Sequence, residues 1–323
     1  MYFNSTKVLL ANCMVIGVTM SICSNNWISM WMGLEISILS FIPFMQTDKI
    51  SSEESSIKYF IIQSMASAFL LLGIVSMLVG VSMDNETFLL NVSMLIKIGV
   101  APFHNWVLFI VENLKYMVMF TLITIMKIPP LVIISYCTMN MEMSMLLSMT
   151  VGALFCLNQT SMRKIIAYSS IFNMGLMLMV IKSNVTWVSY MLIYSTLIFT
   201  MMILLKQMKV NFINQMILNK FNPWIKINLW MNMLSMGGMP PLMGFLPKIM
   251  TMQMMIKENS LMMMTMMILS SLLVMMFYLR LAFTTMFNFN TMLKWNMQYY
   301  KMKFSTLWVN LLMPLVISMK NFS

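Results

Sequence analysis

Apolar runs of about 20 residues, separated by short polar stretches, fill the chain from end to end. The pattern predicts eleven membrane-spanning helices, at about 8–24, 27–46, 58–80, 88–110, 115–137, 142–161, 164–181, 185–205, 227–256, 260–285 and 304–321. The first is short, and the ninth is long because Gly237-Gly238 and Pro240-Pro241 interrupt it. Dropping a weak terminal helix leaves a ten-span alternative. Two spans contain what a membrane normally rejects: MLIKIGVAPFHNW (Met94–Trp106) and SMGGMPPLMGFLPKIM (Ser235–Met250) each combine helix breakers with a lysine. In lipid, unpaired backbone groups are tolerated only where they are buried in protein or line a wet cavity. A charged lysine near the bilayer centre costs roughly 2.5–3.5 kcal/mol on insertion scales, so such residues usually mark an ion path. The ion these segments point to is a proton.

The expected fold is therefore an all-α polytopic membrane protein with a single transmembrane domain. Spans one to five (about 8–137) and six to ten (about 142–285) form two sets of five, with the broken member fourth in each. The helix at about 304–321 stands apart from both. An odd number of helices per set inverts the second copy, giving inverted-topology repeats. The sequences of the two sets do not visibly align, so the repeat rests on where the breaks fall.

Composition narrows the function. The 323 residues are 60% hydrophobic and 9% charged, with a mean hydropathy of +0.83, which excludes an ordinary soluble domain. No Gly-rich phosphate loop or dinucleotide fingerprint is present, so any nucleotide or electron chemistry belongs to another chain. Cys13, Cys23, Cys137 and Cys156 lack the CxxC spacing of an iron–sulfur or structural zinc site. His104 is the one histidine, which excludes a haem held by paired histidines.

Methionine occurs 49 times. Thioethers select Cu(I), but these residues stand where Leu or Ile would serve, and adaptable apolar filler is the better reading. Lysine outnumbers arginine 18 to 2. With abundant Met, Asn, Ile and Phe, this suggests an A+T-rich gene read with AUA as Met, as in animal mitochondria. The segment MYFNSTKVLL shows no Arg/Ser-rich amphipathic presequence, which fits a chain made inside the organelle.

Charge placement tests the span count. With eleven spans, thirteen basic residues fall on the side of the N-terminus, three on the other side and four within spans. The positive-inside rule then puts the N-terminus on the matrix or cytoplasmic face and the C-terminus opposite. The net charge of +11 thus reflects membrane orientation, and nothing suggests nucleic-acid binding.

Among nine carboxylates, only Glu35 falls at the middle of a span. Desolvation favours its neutral form and a nearby lysine favours the carboxylate, a balance that suits a group exchanging protons. A static pair with a neighbouring helix is the alternative. Lys97 lies about a turn and a half before the first break and either carries protons or caps freed carbonyls there. Lys127 sits just before Pro129-Pro130, which predict a kink in span five. Lys248 follows the second break and, nearer a helix end, either takes part in the path or snorkels to the interface. His104 either relays protons or bonds a loose carbonyl beside Pro102. Arg280 reads as an interface anchor, and Arg163-Lys164 as topology charges.

GLEIS (Gly33–Ser37), KIGVAPFHNW (Lys97–Trp106), LNQTSMRKIIAYSSI (Leu157–Ile171) and GGMPPLMGFLPK (Gly237–Lys248) occur in this order. They resemble the mitochondrial NADH dehydrogenase subunit 2 family of arthropod type, the antiporter-like membrane subunits of respiratory complex I. The likeness runs from near the N-terminus to about residue 285. It implies an antiporter-like fold lacking the first three helices of bacterial homologues, in agreement with eleven spans. It also implies a lateral mid-membrane row of protonatable groups. In that row Glu35 and Lys97 form the switching pair, Lys127 is the central relay and Lys248 is the exit-side or onward connection, while His104 keeps its family position. NADH, FMN, iron–sulfur clusters and ubiquinone would be handled by other subunits, with no cofactor in this chain. The implied partners are other membrane-arm subunits and lipids such as cardiolipin. The implied location is the mitochondrial inner membrane, with the N-terminus in the matrix and the C-terminus in the intermembrane space. One departure stands out: after AYSSI the family commonly has a histidine and then Gly-Trp, whereas here the chain reads FNMGL, with Asn173 and Leu176. Asn does not titrate.

Two other readings compete with a proton-translocating subunit. A self-sufficient cation/proton antiporter would use the same Glu/Lys machinery without a redox partner. A structural subunit would use its buried charges only as pairs.

Overall fold

The computed structural model describes residues 5–47, 49–79, 83–137, 141–218 and 223–287, together with residue 310. These residues are almost wholly helical, with one isolated antiparallel bridge between Ser161 and Phe212. They fall into two units, Met1–Ser144 and Met145–Ser323.

The first unit is built from α1 (Ser5–Cys23), α2 (Trp27–Met45), α3 (Ile50–Val79), α4 (Met83–Ile98), α5 (Asn105–Asn113), α6 (Tyr116–Ile123) and α7 (Ile128–Tyr136). Helices α1 and α2 cross with their backbones almost touching. A Cβ on Gly33 would lie 2.6 Å from the Ser21 nitrogen, and one on Gly17 would lie 2.7 Å from the Ser37 nitrogen. Small residues permit this approach, which gives helices the van der Waals contact that lipid does not otherwise favour. The serine hydroxyls turn inward, Ser21 bonding Val18 and Ser37 bonding Leu34 within their own helices. Helix α3 starts at Ile50, eight residues before the expected span. Glu54 and Lys58 pair across one turn at 2.5 Å, carrying the helix into a polar stretch.

The second unit holds most of α8 (Glu142–Cys156), with α9 (Met162–Val180), α10 (Asn184–Met208), α11 (Ile213–Leu218), α12 (Pro223–Gly237), α13 (Phe245–Lys257) and α14 (Leu261–Phe287). Helix α9 is buried almost all round, the mark of a central helix. Gly152 and Gly175 let α8 press against it. Methionines fill this core, among them Met174, Met177, Met179, Met201 and Met202.

Six segments among the described residues are long and apolar enough to cross a membrane: Ser5–Cys23, Trp27–Met45, Ile50–Val79, Tyr116–Tyr136, Asn184–Met208 and Leu261–Thr285. Of the other four expected spans within those residues, two are interrupted (α4 with α5, and α12 with α13), α8 is shorter, and α9 is a continuous 19-residue helix outside those six. The eleventh, at about 304–321, lies outside the described residues except for Asn310. Large apolar side chains such as Leu39, Leu72, Leu192, Leu269 and Met276 are exposed, as expected of surfaces that meet lipid.

The expected kink of span five takes another form. Its irregularity is a 3-10 turn at Ile125–Lys127, just ahead of the two prolines. Pro129 and Pro130 occupy the first turn of α7, where their missing N–H groups leave no hydrogen bond unmade.

Candidate functional site

The two broken segments share one backbone design. At the end of α4, Gly99 takes a positive φ of 73°, its N–H bonds the Ile96 carbonyl at 3.2 Å, and the Val100 N–H bonds Leu95 at 3.3 Å. At the end of α12, Gly238 has φ 77°, its N–H bonds Ser235 at 3.0 Å, and the Met239 N–H bonds Leu234 at 3.2 Å. Both are glycine-terminated helix ends of the Schellman type, followed by a proline-bearing loop and a new helix. The structure thus aligns Gly99-Val100-Ala101-Pro102 with Gly238-Met239-Pro240-Pro241, a match not visible from the sequence.

A helix end inside a membrane leaves carbonyls with unused acceptor capacity, and the two units fill it differently. In the first unit the Trp106 indole Nε1, from α5, donates to the Ile96 carbonyl at 3.1 Å. In the second, Lys248 Nζ, from α13, donates to the Gly237 carbonyl at 2.6 Å. Capping of freed carbonyls, considered from sequence for Lys97, is thus performed by Lys248. Lys248 is 7% exposed, so it does not snorkel to an interface.

Lys97 and Lys127 are 5% and 2% exposed, and neither ammonium has a hydrogen-bond partner. Both line one small void with Tyr59, Gln63, Trp106 and Ser37. The void has room for about one water molecule. Tyr59 is fixed by ring contacts to Phe41 at 5.3 Å and Trp106 at 5.9 Å. Glu35 is half-buried on α2, and its Oε1 has no hydrogen-bond partner. It does not line the void but lies within electrostatic reach of Lys97 and Tyr59. The first unit therefore gathers three of the residues singled out from sequence. His104 stands at the N-cap position of α5 without a side-chain capping bond, is half-buried, and is not part of the void lining.

Lys248 lines a second small void with Asn173, Tyr190, Tyr194 and Ser235. The Tyr190 hydroxyl donates to Asn173 Oδ1 at 2.8 Å, and Asn173 Nδ2 donates to the Ser169 carbonyl at 2.8 Å. The family's histidine position is thus occupied by an amide with both ends engaged. Arg280 donates to the Leu157 carbonyl at 2.9 Å and stands over the Phe277 ring, a helix-to-helix tie.

Sequence reasoning missed Tyr59 and Gln63 on α3, and Tyr190 and Tyr194 on α10. Their signal was the spacing: polar groups four apart, on one face of an otherwise apolar span.

Residues 24–274 match the family described as NADH:quinone oxidoreductase/Mrp antiporter, TM. A protein of Anopheles gambiae named NADH-ubiquinone oxidoreductase chain 2 is 39% identical over 284 residues, 84% of this chain and 83% of its own. One of the same name from Locusta migratoria is 38% identical over 298 residues, 88% of this chain and 87% of its own. A chain in the structure of respiratory complex I from Thermus thermophilus with bound aureothin shares the fold. Its TM-score is 0.77 at 20% identity, over 87% of this chain and 70% of that one. With two broken helices, buried lysines beside them and relatives at this level of identity, the chain belongs to the NADH:quinone oxidoreductase/Mrp antiporter family, among the members named NADH-ubiquinone oxidoreductase chain 2.

Proposed function

We propose that this chain is a membrane-arm subunit of the H+-translocating NADH:ubiquinone oxidoreductase, complex I, in the mitochondrial inner membrane. It carries proton transfer coupled to electron flow from NADH to ubiquinone. The redox cofactors sit in other subunits, and the neighbours are other membrane-arm chains and lipids such as cardiolipin. The observation that carries this reading is the pair of buried, unpartnered ammoniums of Lys97 and Lys127 around a void of about one water, with Glu35 in electrostatic reach. A purely structural charge is expected to be paired or hydrogen-bonded, because burying it otherwise is costly.

Glu35 and Lys97 act as the switching pair and Lys127 as the relay. Charging one of the two lysines opposes charging the other across their shared void. Lys248, held at the second break, is the exit-side or onward connection, and the four residues make up the row implied by the resemblance. His104, beside the first break, assists at its edge.

The architecture belonging to this reading is eleven spans in two inverted repeats of five, about 8–137 and 142–285, plus the helix at about 304–321. The first three helices of bacterial homologues are absent, the N-terminus faces the matrix and the C-terminus faces the intermembrane space. The common break design supports the repeat, as does the recurrence of paired polar groups on the third span of each set, Tyr59 and Gln63 on α3 and Tyr190 and Tyr194 on α10.

The test is native electrophoresis of mildly solubilised mitochondrial membranes, with in-gel NADH dehydrogenase staining and mass spectrometry of the bands. The chain is expected in the large NADH-oxidising band. Its presence only in small, NADH-inactive species, with sodium-dependent transport by the isolated chain, would instead favour a self-sufficient antiporter.

A further inference from the structure

The second break is bordered by a buried polar cluster that the proton path described above does not use. Asn228, Asn232 and Ser235 lie four and three residues apart on α12, which places them on one face. Asn232 is fully buried and its amide is fully engaged. Its Oδ1 accepts from Thr200 Oγ1 on α10 at 2.8 Å and from Asn310 Nδ2 at 2.8 Å. Its Nδ2 donates to the Asn228 carbonyl at 3.0 Å and to Asn228 Oδ1 at 3.1 Å. Ser235 Oγ donates to the Asn232 carbonyl at 2.8 Å and belongs to the lining of the Lys248 void.

Asn310 is the residue that joins this cluster to the break. Its side chain holds α12 through Asn232, while its carbonyl accepts from the Met243 N–H at 3.3 Å, inside the loop between the two half-helices. It is fully buried. The next residue, Gly244, has its backbone pressed against the Ser235 carbonyl so closely that a Cβ there would overlap it. One turn further along α13, Lys248 reaches back to Gly237. Asn310 therefore grips the first half-helix and the loop that leads into the second, and the separation of the two half-helices sets whether Lys248 meets the Gly237 carbonyl. The first unit achieves the equivalent tie with Trp106, which belongs to the broken segment itself.

We propose that Asn310 is a positioning residue for Lys248, acting with Asn232 and Thr200 as a polar clamp on the second helix break. The clamp holds the lysine at the Gly237 carbonyl and keeps the void beside Ser235 and Asn173 open to it. This rests on the reading of Lys248 as a proton-carrying group.

The experiment compares Asn310→Leu, Asn310→Gln, Lys248→Met and the double variant Asn310→Leu/Lys248→Met in the intact complex, reconstituted into liposomes. Complex abundance, proton uptake per NADH oxidised and the pH profile of coupled turnover are read together. Asn310→Leu is expected to lower proton transfer about tenfold, the effect of losing a hydrogen bond that positions a charge. It should also change the pH profile, while Asn310→Gln recovers most of the activity by keeping the amide. In the Lys248→Met background, Asn310→Leu should cause no further loss. Wild-type pumping and pH profile in Asn310→Leu would overturn the proposal, as would an equal loss with and without Lys248. Intact pumping in Lys248→Met alone overturns the role of Lys248 and this inference together. Loss in that single variant with an additive loss in the double overturns this inference only. Should Asn310→Leu fail to assemble, Thr200→Val, which removes one bond to the same Asn232 oxygen, carries the same comparison.

Discussion

Two neighbouring glycines end α12, and alanine at each should give opposite results. At Gly237 a Cβ would meet Tyr278 Cβ at 3.4 Å and Met275 Cα at 3.7 Å, ordinary packing distances. Replacing a helical glycine there removes chain entropy from the unfolded state, so Gly237→Ala should be neutral or stabilising by up to about 1 kcal/mol. At Gly238 the backbone has φ 77°, and a Cβ would stand 2.6 Å from Lys248 Cε and 2.7 Å from Nζ. Holding alanine in the left-handed region costs about 1–2 kcal/mol. The lysine tip is the part able to move, and moving it breaks the 2.6 Å bond to the Gly237 carbonyl. A hydrogen bond to a charged group contributes about 1.5–3 kcal/mol. Gly238→Ala should therefore cost roughly 2.5–5 kcal/mol and displace Lys248. The assay is thermal inactivation of the assembled complex together with proton pumping in liposomes. Gly238→Ala is expected to lose both stability and pumping, with Gly237→Ala close to wild type. Equal behaviour of the two variants would refute the argument that Lys248 is held at the break by the room that Gly238 leaves.

Three further substitutions probe the first unit. Lys97→Met removes a buried charge without a hydrogen-bond partner, so the complex should assemble with undiminished thermal stability while coupled turnover falls at least about tenfold; intact pumping would leave Lys97 no part in transfer. Trp106→Phe deletes the bond to the Ile96 carbonyl inside the first break and should cost about 1 kcal/mol, visible as a lower midpoint of thermal inactivation, and an unchanged midpoint would show that water replaces the indole. Gly33→Ala drives a Cβ into the Ser21 nitrogen and the Gly17 carbonyl, backbone atoms that cannot rotate away. It should cost about 1–3 kcal/mol and reduce the amount of assembled complex, measured by immunoblot of native gels; normal assembly would mean that α1 and α2 separate freely.

The legible parts of this protein were those where composition contradicts the membrane. Glu35, Lys97, Lys127 and Lys248 stand out because a charge in an apolar run is rare, and the breaks stand out because Gly and Pro interrupt a helix regardless of its partners. Less legible was which face of each helix looks inward. Lipid-facing positions such as Leu72 and Leu192 are as apolar as core positions such as Leu70 and Leu197, so periodicity carries almost no signal. Tyr59, Gln63, Tyr190 and Tyr194 carry only the signal of their four-residue spacing, and that signal is weak because an interfacial tyrosine gives it as readily as an inward one. The bond from Lys248 to Gly237 spans eleven residues and a reversal of the chain, beyond any helical spacing rule. Where the prolines predict a kink, the structure has a 3-10 turn at Ile125–Lys127. Pro129 and Pro130 in fact begin a new helix, and the disruption falls on the residues before them.

The two breaks use the same backbone and treat their lysines differently, and that difference bears on mechanism. Lys248 has a carbonyl dipole fixed at 2.6 Å, with Gly238 shaped to admit it. Lys97 and Lys127 have no such partner, and their surroundings offer a void of about one water, a tyrosine, an amide and the field of Glu35. A group with a fixed partner changes state only when that partner or the backbone around it moves. A group without one responds to whatever charge or water arrives next to it. Within the proposed function this divides the labour: the first unit is suited to receive an electrostatic signal through Glu35, and the second to release a proton when its break rearranges. Trp106 ties the first break by a bond from within the same segment, whereas the second is tied by Asn310, contributed from outside it. A break held from outside is the one that a neighbouring element can open.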